Sequence, residues 1–227
     1  MPKFDYPIRR ATQLNFFGMR KITCIIVLMF SVKANAIAQK YLFYLHGKIV
    51  EDQGANASNT LFGKYEYDNI LAKFREAHFT VISEVRKPNT DVKEYAHKVA
   101  GEVDSLLKAG AKPGNITVVG ASKGALIAML ASSYLNNYKV NFAFLSSCND
   151  YLAGSFPEME FCGNILSIYE KSDPGNQSCD KLKARSSRSM PHYKELEINT
   201  GRQHGYLYKP IPEWMDPVMR WANGNYK

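Results

Sequence analysis

The sequence predicts an α/β protein with a mostly parallel six-stranded sheet and helices on both faces. Three observations carry this. From Lys40 to the C-terminus, segments of strand character alternate with segments of helical period. Several strands, among them Lys40 to Leu45 and Ile116 to Val119, are continuously apolar, as strands buried on both faces are. The widest non-periodic stretches, 146–163 and 171–194, each follow a strand, where an α/β sheet builds its binding rim. No internal repeat, low-complexity tract or linker interrupts the pattern, and 227 residues suit one substantial domain.

The N-terminal segment stands apart. Met19-Arg20-Lys21 precedes an apolar run, Ile22 to Phe30, and Ser31-Val32-Lys33-Ala34-Asn35-Ala36 follows. A charged start, a short apolar centre and an Ala-x-Ala end read as a secretory signal peptide over 19–36, cut after Ala36 or Ala38. The run is too short for a permanent membrane span; an uncleaved anchor or a buried core strand is the alternative. Residues 1–18 read as an upstream extension, with translation starting at Met19, and 37–227 as a single domain. The leader also accounts for most of the charge. Of the net +8, residues 1–36 hold six Lys/Arg against one Asp, or +5; the body holds 23 against 20, or +3. The body therefore gives no electrostatic reason to expect a nucleic acid, nor stable membrane insertion once the signal is cut. A periplasmic or secreted location follows from the leader.

The elements run in order. Lys40 to Leu45 is the first strand and ends in His46-Gly47; the polar Lys48 to Gly63 reads as a loop. Tyr65 to Ala77 has Tyr67, Ile70, Leu71 and Phe74 at helical spacing. Phe79 to Val85 is the second strand. Thr90 or Asp91 caps a long helix reaching Ala109, with Val92, Tyr95, Val99, Val103 and Leu106 on one face. Gly110 and Pro113-Gly114 end it and lead into the third strand, Ile116 to Val119. An apolar helix follows through Leu130. Val140 to Leu145, Ile165 to Tyr169 and Glu195 to Ile198 are the remaining strands, and a helix from Pro212 to Ala222 closes the chain.

Gly120-Ala121-Ser122-Lys123-Gly124 joins the third strand to its helix. A serine at the apex of a strand–turn–helix has the setting of a nucleophile elbow; a serine there also serves as a plain helix cap. Gly120 and Gly124 remove side chains that would collide in so tight a turn. A nucleophilic serine needs a base. His204, in Gly201-Arg202-Gln203-His204-Gly205 after the last strand, is the best placed; His46, His78, His97 and His192 compete. The base needs a carboxylate to fix its tautomer. Asp173, in Ser172-Asp173-Pro174-Gly175, fits, although Asp-Pro-Gly is also plain turn chemistry; Glu170 and Asp180 are fallbacks. Two N–H donors for an oxyanion come from Lys123 and from Gly47 or Lys48, and His46 orients the latter loop. No His/Cys cluster has the spacing of metal ligands, so neither metal nor cofactor is expected.

Leu45-His46-Gly47, the Gly120 to Gly124 pentapeptide, Ser172-Asp173 and Gln203-His204-Gly205 together resemble the α/β-hydrolase superfamily, in particular its small secreted or periplasmic bacterial serine hydrolases. The order Ser122, Asp173, His204 is that of the family. The resemblance implies a minimal version of the fold. The two opening strands have no room before Lys40, and no large lid is visible. It also implies a sheet ordered 4-3-5-6-7-8 in the family's strand numbers and a shallow pocket shaped by residues 48–63, 146–163 and 176–194. On this frame Cys148 and Cys179 share the active-site edge, whereas Cys162 sits at the opposite edge, a strand length of roughly 17–20 Å away. The frame thus implies a Cys148–Cys179 disulfide and a buried thiol at Cys162, with three free buried thiols as the alternative. The implied activity is hydrolysis of a small-molecule ester-type acyl substrate through an acyl-enzyme. A peptidase or thioesterase with the same triad, or a non-catalytic binding protein on this scaffold, are the alternatives. Lys183, Arg185 and Arg188 either favour an acidic substrate or form a solvated basic face.

Overall fold

The computed structural model describes residues 38–175 and 177–227; the signal peptide expected at 19–36 and the upstream extension expected at 1–18 lie outside the described residues. β1 (Tyr41–Leu45) is followed by α1 (Lys48–Gln53) and a small antiparallel hairpin of β2 (Ser58–Asn59) and β3 (Gly63–Lys64). Then come α2 (Tyr67–Glu76), β4 (Thr80–Ile82), α3 (Val92–Lys108), β5 (Ile116–Ala121) and α4 (Lys123–Leu135). β6 (Asn141–Leu145), α5 (Asp150–Ser155), β7 (Asn164–Glu170), α6 (Asp180–Arg185), β8 (Tyr193–Ile198) and α7 (Pro212–Ala222) complete the chain.

The main sheet has six strands in the order β4-β1-β5-β6-β7-β8, and every pairing in it is parallel. This is the order the family resemblance implies. The two-residue side-chain period divides each inner strand between two cores. Leu42, Tyr44, Val119, Ala121, Ala143, Leu145, Leu166 and Ile168 pack with α2 and α7 on one face. Phe43, Leu45, Ile116, Val118, Phe142, Phe144 and Ile165 pack with α3, α4 and the shorter α5 and α6 on the other. α4 is buried nearly all round, because it lies between the sheet and α3. Asp91 caps α3, its Oδ1 accepting from the Lys93 and Glu94 amides at 2.9 Å each.

The stretch 48–63, expected as a loop, contains α1 and the hairpin. Only Ile49 and Val50 in α1 are apolar, and six residues are too few to display a helical period. α5 and α6 leave no mark in the sequence pattern for the same reason. The last strand begins at Tyr193, two residues before the expected Glu195, because its half-exposed Tyr-Lys-Glu-Leu-Glu-Ile is an edge sequence rather than an apolar run.

Candidate active site

Because all six strands run the same way, their C-terminal ends share one edge, and the loops leaving β1, β5, β7 and β8 meet there. Ser122 leaves β5 with φ 54° and ψ −118°, a positive-φ conformation that costs a non-glycine residue about 1–3 kcal/mol. The turn is held by the Ser122 amide, which donates to the Leu145 carbonyl at 2.8 Å, and by the flanking glycines. A methyl carbon at Gly124 would stand 1.9 Å from the Leu45 carbonyl oxygen, and one at Gly120 2.2 Å from the Gly124 oxygen. No side chain larger than hydrogen fits at either position.

Although Ser122 occupies the N-cap position of α4, its hydroxyl makes no capping bond. It lies 2.9 Å from His204 Nε2. His204 Nδ1 lies 2.6 Å from Asp173 Oδ2. His204 sits in a 3-10 turn, Gln203–Tyr208, that follows β8. Gly205 lets this turn press against Phe62, since a Cβ there would come within 2.6 Å of the Phe62 ring. Asp173 is buried three residues beyond β7.

The fallback acid Glu170 does a different job. Fully buried, it accepts from the Ser172 amide and hydroxyl and from the Thr200 amide and hydroxyl, at 2.7–3.2 Å. Burial raises its pKa, but these four donors outweigh burial and leave it below the usual carboxylate range. It clamps the Asp173 loop to the His204 loop, and the Gln203 amide adds a 3.1 Å bond to Ser172 Oγ. The other fallback, Asp180, is exposed at the head of α6. Cys148 and Cys179 form a disulfide with a Cα–Cα distance of 5.1 Å, and Cys162 is a buried thiol. The disulfide and the bond from the Asn149 amide group to the Gly175 carbonyl, 3.2 Å, tether the Asp173 loop from its other side.

The rival histidines are accounted for. His97 stacks on Tyr134 and His192 on Tyr226, with centroids 3.8 and 4.1 Å apart, and His78 is exposed just past the end of α2. His46 is fully buried. The Arg86 amide donates to its Nε2 at 2.9 Å, so Nδ1 carries the ring proton and donates to the Gly47 carbonyl at 2.8 Å. Burial, then the neighbouring Arg86 charge, lowers its pKa from 6.5 to about 4. A neutral imidazole thus pins the loop after β1.

That loop approaches the serine closely: a Cβ on Gly47 would lie 3.5 Å from Ser122 Cβ. Gly47 shares a small recess with Ser122, His204 and Tyr65, whose buried hydroxyl is hydrogen-bonded to Tyr44 at 2.6 Å. Lys48 and Lys123 line the open cleft over Ser122, a space of about 750 Å³ that also contacts His204 and Asp173. Its apolar wall is Val92, Leu126, Leu152 and Tyr151, the last 83% exposed at the rim. Of the loops expected to shape the pocket, 146–163 contributes most. The described residues of 176–194 contribute none, and Val92 and Leu126 come from helices that no sequence signal assigns to the cleft. Lys183, Arg185 and Arg188 serve elsewhere. Lys183 lies over Tyr193, Arg185 donates to the Ala153 and Phe156 carbonyls, and Arg188 pairs with Glu160. Among the described residues no group of three His, Cys, Asp or Glu is placed to hold a metal ion.

No protein-family model matches the chain. A search of curated proteins returns no match. Solved structures do resemble it. An esterase from Pyrococcus furiosus, Pf2001, aligns with a TM-score of 0.54 at 13% identity, over 82% of this chain and 83% of its own. A hyperthermophilic esterase from Pyrobaculum calidifontis aligns at 0.53 and 15% identity, over 83% and 76%. A variant of SOBER1 from Arabidopsis thaliana aligns at 0.51 and 13% identity, over 83% of this chain and all of its own. With the parallel six-stranded sheet and its strand order, these likenesses show that the chain has the α/β-hydrolase fold.

Proposed function

We propose that the protein is a serine hydrolase that cleaves an ester-type acyl bond of a small molecule. The observation that carries this reading is the chain of contacts from Ser122 Oγ to His204 Nε2, 2.9 Å, and from His204 Nδ1 to Asp173 Oδ2, 2.6 Å. In this reading Asp173 holds the imidazole with its proton on Nδ1, which leaves Nε2 to accept the Ser122 proton. Ser122 Oγ attacks the carbonyl carbon. The Lys123 amide, at the N-terminus of α4, and the Lys48 amide stabilise the oxyanion. Gly47, the residue before α1, is the alternative donor from the same loop. His204 then protonates the leaving alcohol and activates the water that releases the acyl group.

The open cleft with a one-sided apolar wall supports an acyl group of modest size bound against Leu126 and Leu152. Turnover of chromogenic esters of increasing acyl length, beside a thioester and a peptide amide, tests this. We expect measurable kcat/KM on short and medium esters, at least about tenfold above the thioester and amide; hydrolysis of the amide or thioester alone would replace the ester reading with a peptidase or thioesterase. We further propose export to the periplasm or exterior. The leader pattern supports it, and a Cys148–Cys179 disulfide suits an oxidising compartment. Among the described residues no helix is long and apolar enough to cross a membrane.

A further inference from the structure

The two proposed oxyanion donors come from separate segments. Lys48 follows β1 and Lys123 follows β5, both beyond the last pairing of the two strands, Leu45 with Gly120. The ladder between β1 and β5 therefore does not itself fix their separation. A side-chain network spans the gap. Glu51 lies one turn into α1 from Lys48 and is buried, as is Arg86. Lys123 Nζ donates to Glu51 Oε1 at 2.6 Å and to the Thr90 carbonyl at 2.8 Å. Arg86 Nε donates to Glu51 Oε2 at 3.1 Å, and Arg86 Nη2 donates to the His46 carbonyl. The Lys123 side chain thus grips the helix that opens with the other donor, and Arg86 ties the same carboxylate back to the loop between them.

We propose that Lys123 Nζ, Glu51 and Arg86 are positioning residues for the oxyanion hole. They strap the β1–α1 loop to the nucleophile turn, and they leave one net positive charge beside the site where negative charge develops. Two cations share one carboxylate here, so the cluster is not a neutral pair. Burying ions costs desolvation, and a packed apolar cluster would hold these segments together at least as stably. What the ionic network adds is a fixed distance between two amide donors and a field favourable to an oxyanion. The proposal rests on the serine-hydrolase reading.

Lys123→Met, Lys123→Arg and Glu51→Gln test it, through kcat and KM on a p-nitrophenyl ester, thermal midpoints, and hydrogen exchange of amides 47–53. Lys123→Met should fold, lose roughly ten- to a hundredfold in kcat with KM changed less than about threefold, and exchange faster at 47–53. Lys123→Arg, whose guanidinium still reaches Glu51, should recover kcat to within about threefold of the parent and restore the slow exchange. If Lys123→Met does not fold, Glu51→Gln must show the same kcat-only loss. A Lys123→Met kcat within about twofold of the parent, or an equal loss in Lys123→Arg, overturns the strap while leaving the hydrolase reading intact. If the parent protein hydrolyses no ester and reacts with no fluorophosphonate, yet Lys123→Met loosens 47–53, the network is a structural tie only; the hydrolase reading then falls with the proposal.

Discussion

Ser122 is held with φ at 54° by glycines on either side, and the strain is localised where the sheet can support it. Gly124 is the more demanding of the two, since its neighbour is the Leu45 backbone rather than a movable side chain. Gly124→Ala should therefore cost more than about 3 kcal/mol or prevent folding. Gly101→Ala, in α3 with nothing within 4 Å of the new carbon, should instead stabilise by about 1 kcal/mol. Urea denaturation of both variants checks the contrast; equal effects would mean the turn is looser than described. His46 gives a second prediction. The unfolded imidazole protonates near pH 6.5 and the native one near 4. As pH falls through that window, the unfolded chain takes up a proton that the native state refuses. Stability is then lost at up to about 1.4 kcal/mol per pH unit. The buried carboxylates Glu51 and Glu170 act in a lower window. Burial raises their pKa values but their bonded partners lower them further, so their stabilisation is lost only as pH falls below the usual carboxylate range. His46→Asn should flatten the slope between pH 6.5 and 4; a slope that persists would place its origin elsewhere.

At the scale of the elements, the site depends on two loops that carry no regular strand or α-helix through their functional residues. The loop after β7 presents Asp173, and the 3-10 turn after β8 presents His204. The Glu170 clamp joins them, and the Cys148–Cys179 disulfide ties the first to the β6–α5 connection. For a sequence separation of 31, closing the loop in the unfolded chain is worth about 3–4 kcal/mol in the chain-entropy model. Cys148→Ser should lower the unfolding free energy by about that amount, and reduction of the parent should match it. A loss under about 1 kcal/mol would show that the hydrogen bonds alone hold the loop. Most strands are legible in the sequence because they are short apolar or β-branched runs. So are α2, α3 and α7, whose buried residues recur at helical spacing. The six-residue helices are not, nor is the role of Glu51 and Arg86. A single charged residue in a polar stretch carries no mark of burial, and only the fold shows that these two face each other at 3.1 Å.

For the whole molecule, the parallel sheet is what makes a site out of distant residues. Its strands deliver Gly47, Ser122, Asp173 and His204 to one edge, and two separate cores fix the strands from either face. The Gly120 to Gly124 pattern and the residue types after each strand single out Ser122, Asp173 and His204 in the sequence, and the fold brings these three within hydrogen-bonding distance. The cleft wall is less readable, because Val92 and Leu126 reach it only through the packing of α3 on α4 and of α4 on the sheet. The chain's positive charge is unevenly placed along the sequence. The excess is concentrated before residue 37, and the body's ion pairs, such as Lys93 with Glu158 and Lys181 with Asp150, largely offset one another.

The central claim is that Ser122 is activated by His204 and Asp173. Labelling with a fluorophosphonate, followed by peptide mapping, tests it most directly. The account predicts a single covalent adduct on Ser122, absent in Ser122→Ala and formed at least about a hundredfold more slowly in His204→Ala, with both variants folded. No adduct, an adduct on another residue, or equal labelling of His204→Ala would contradict it.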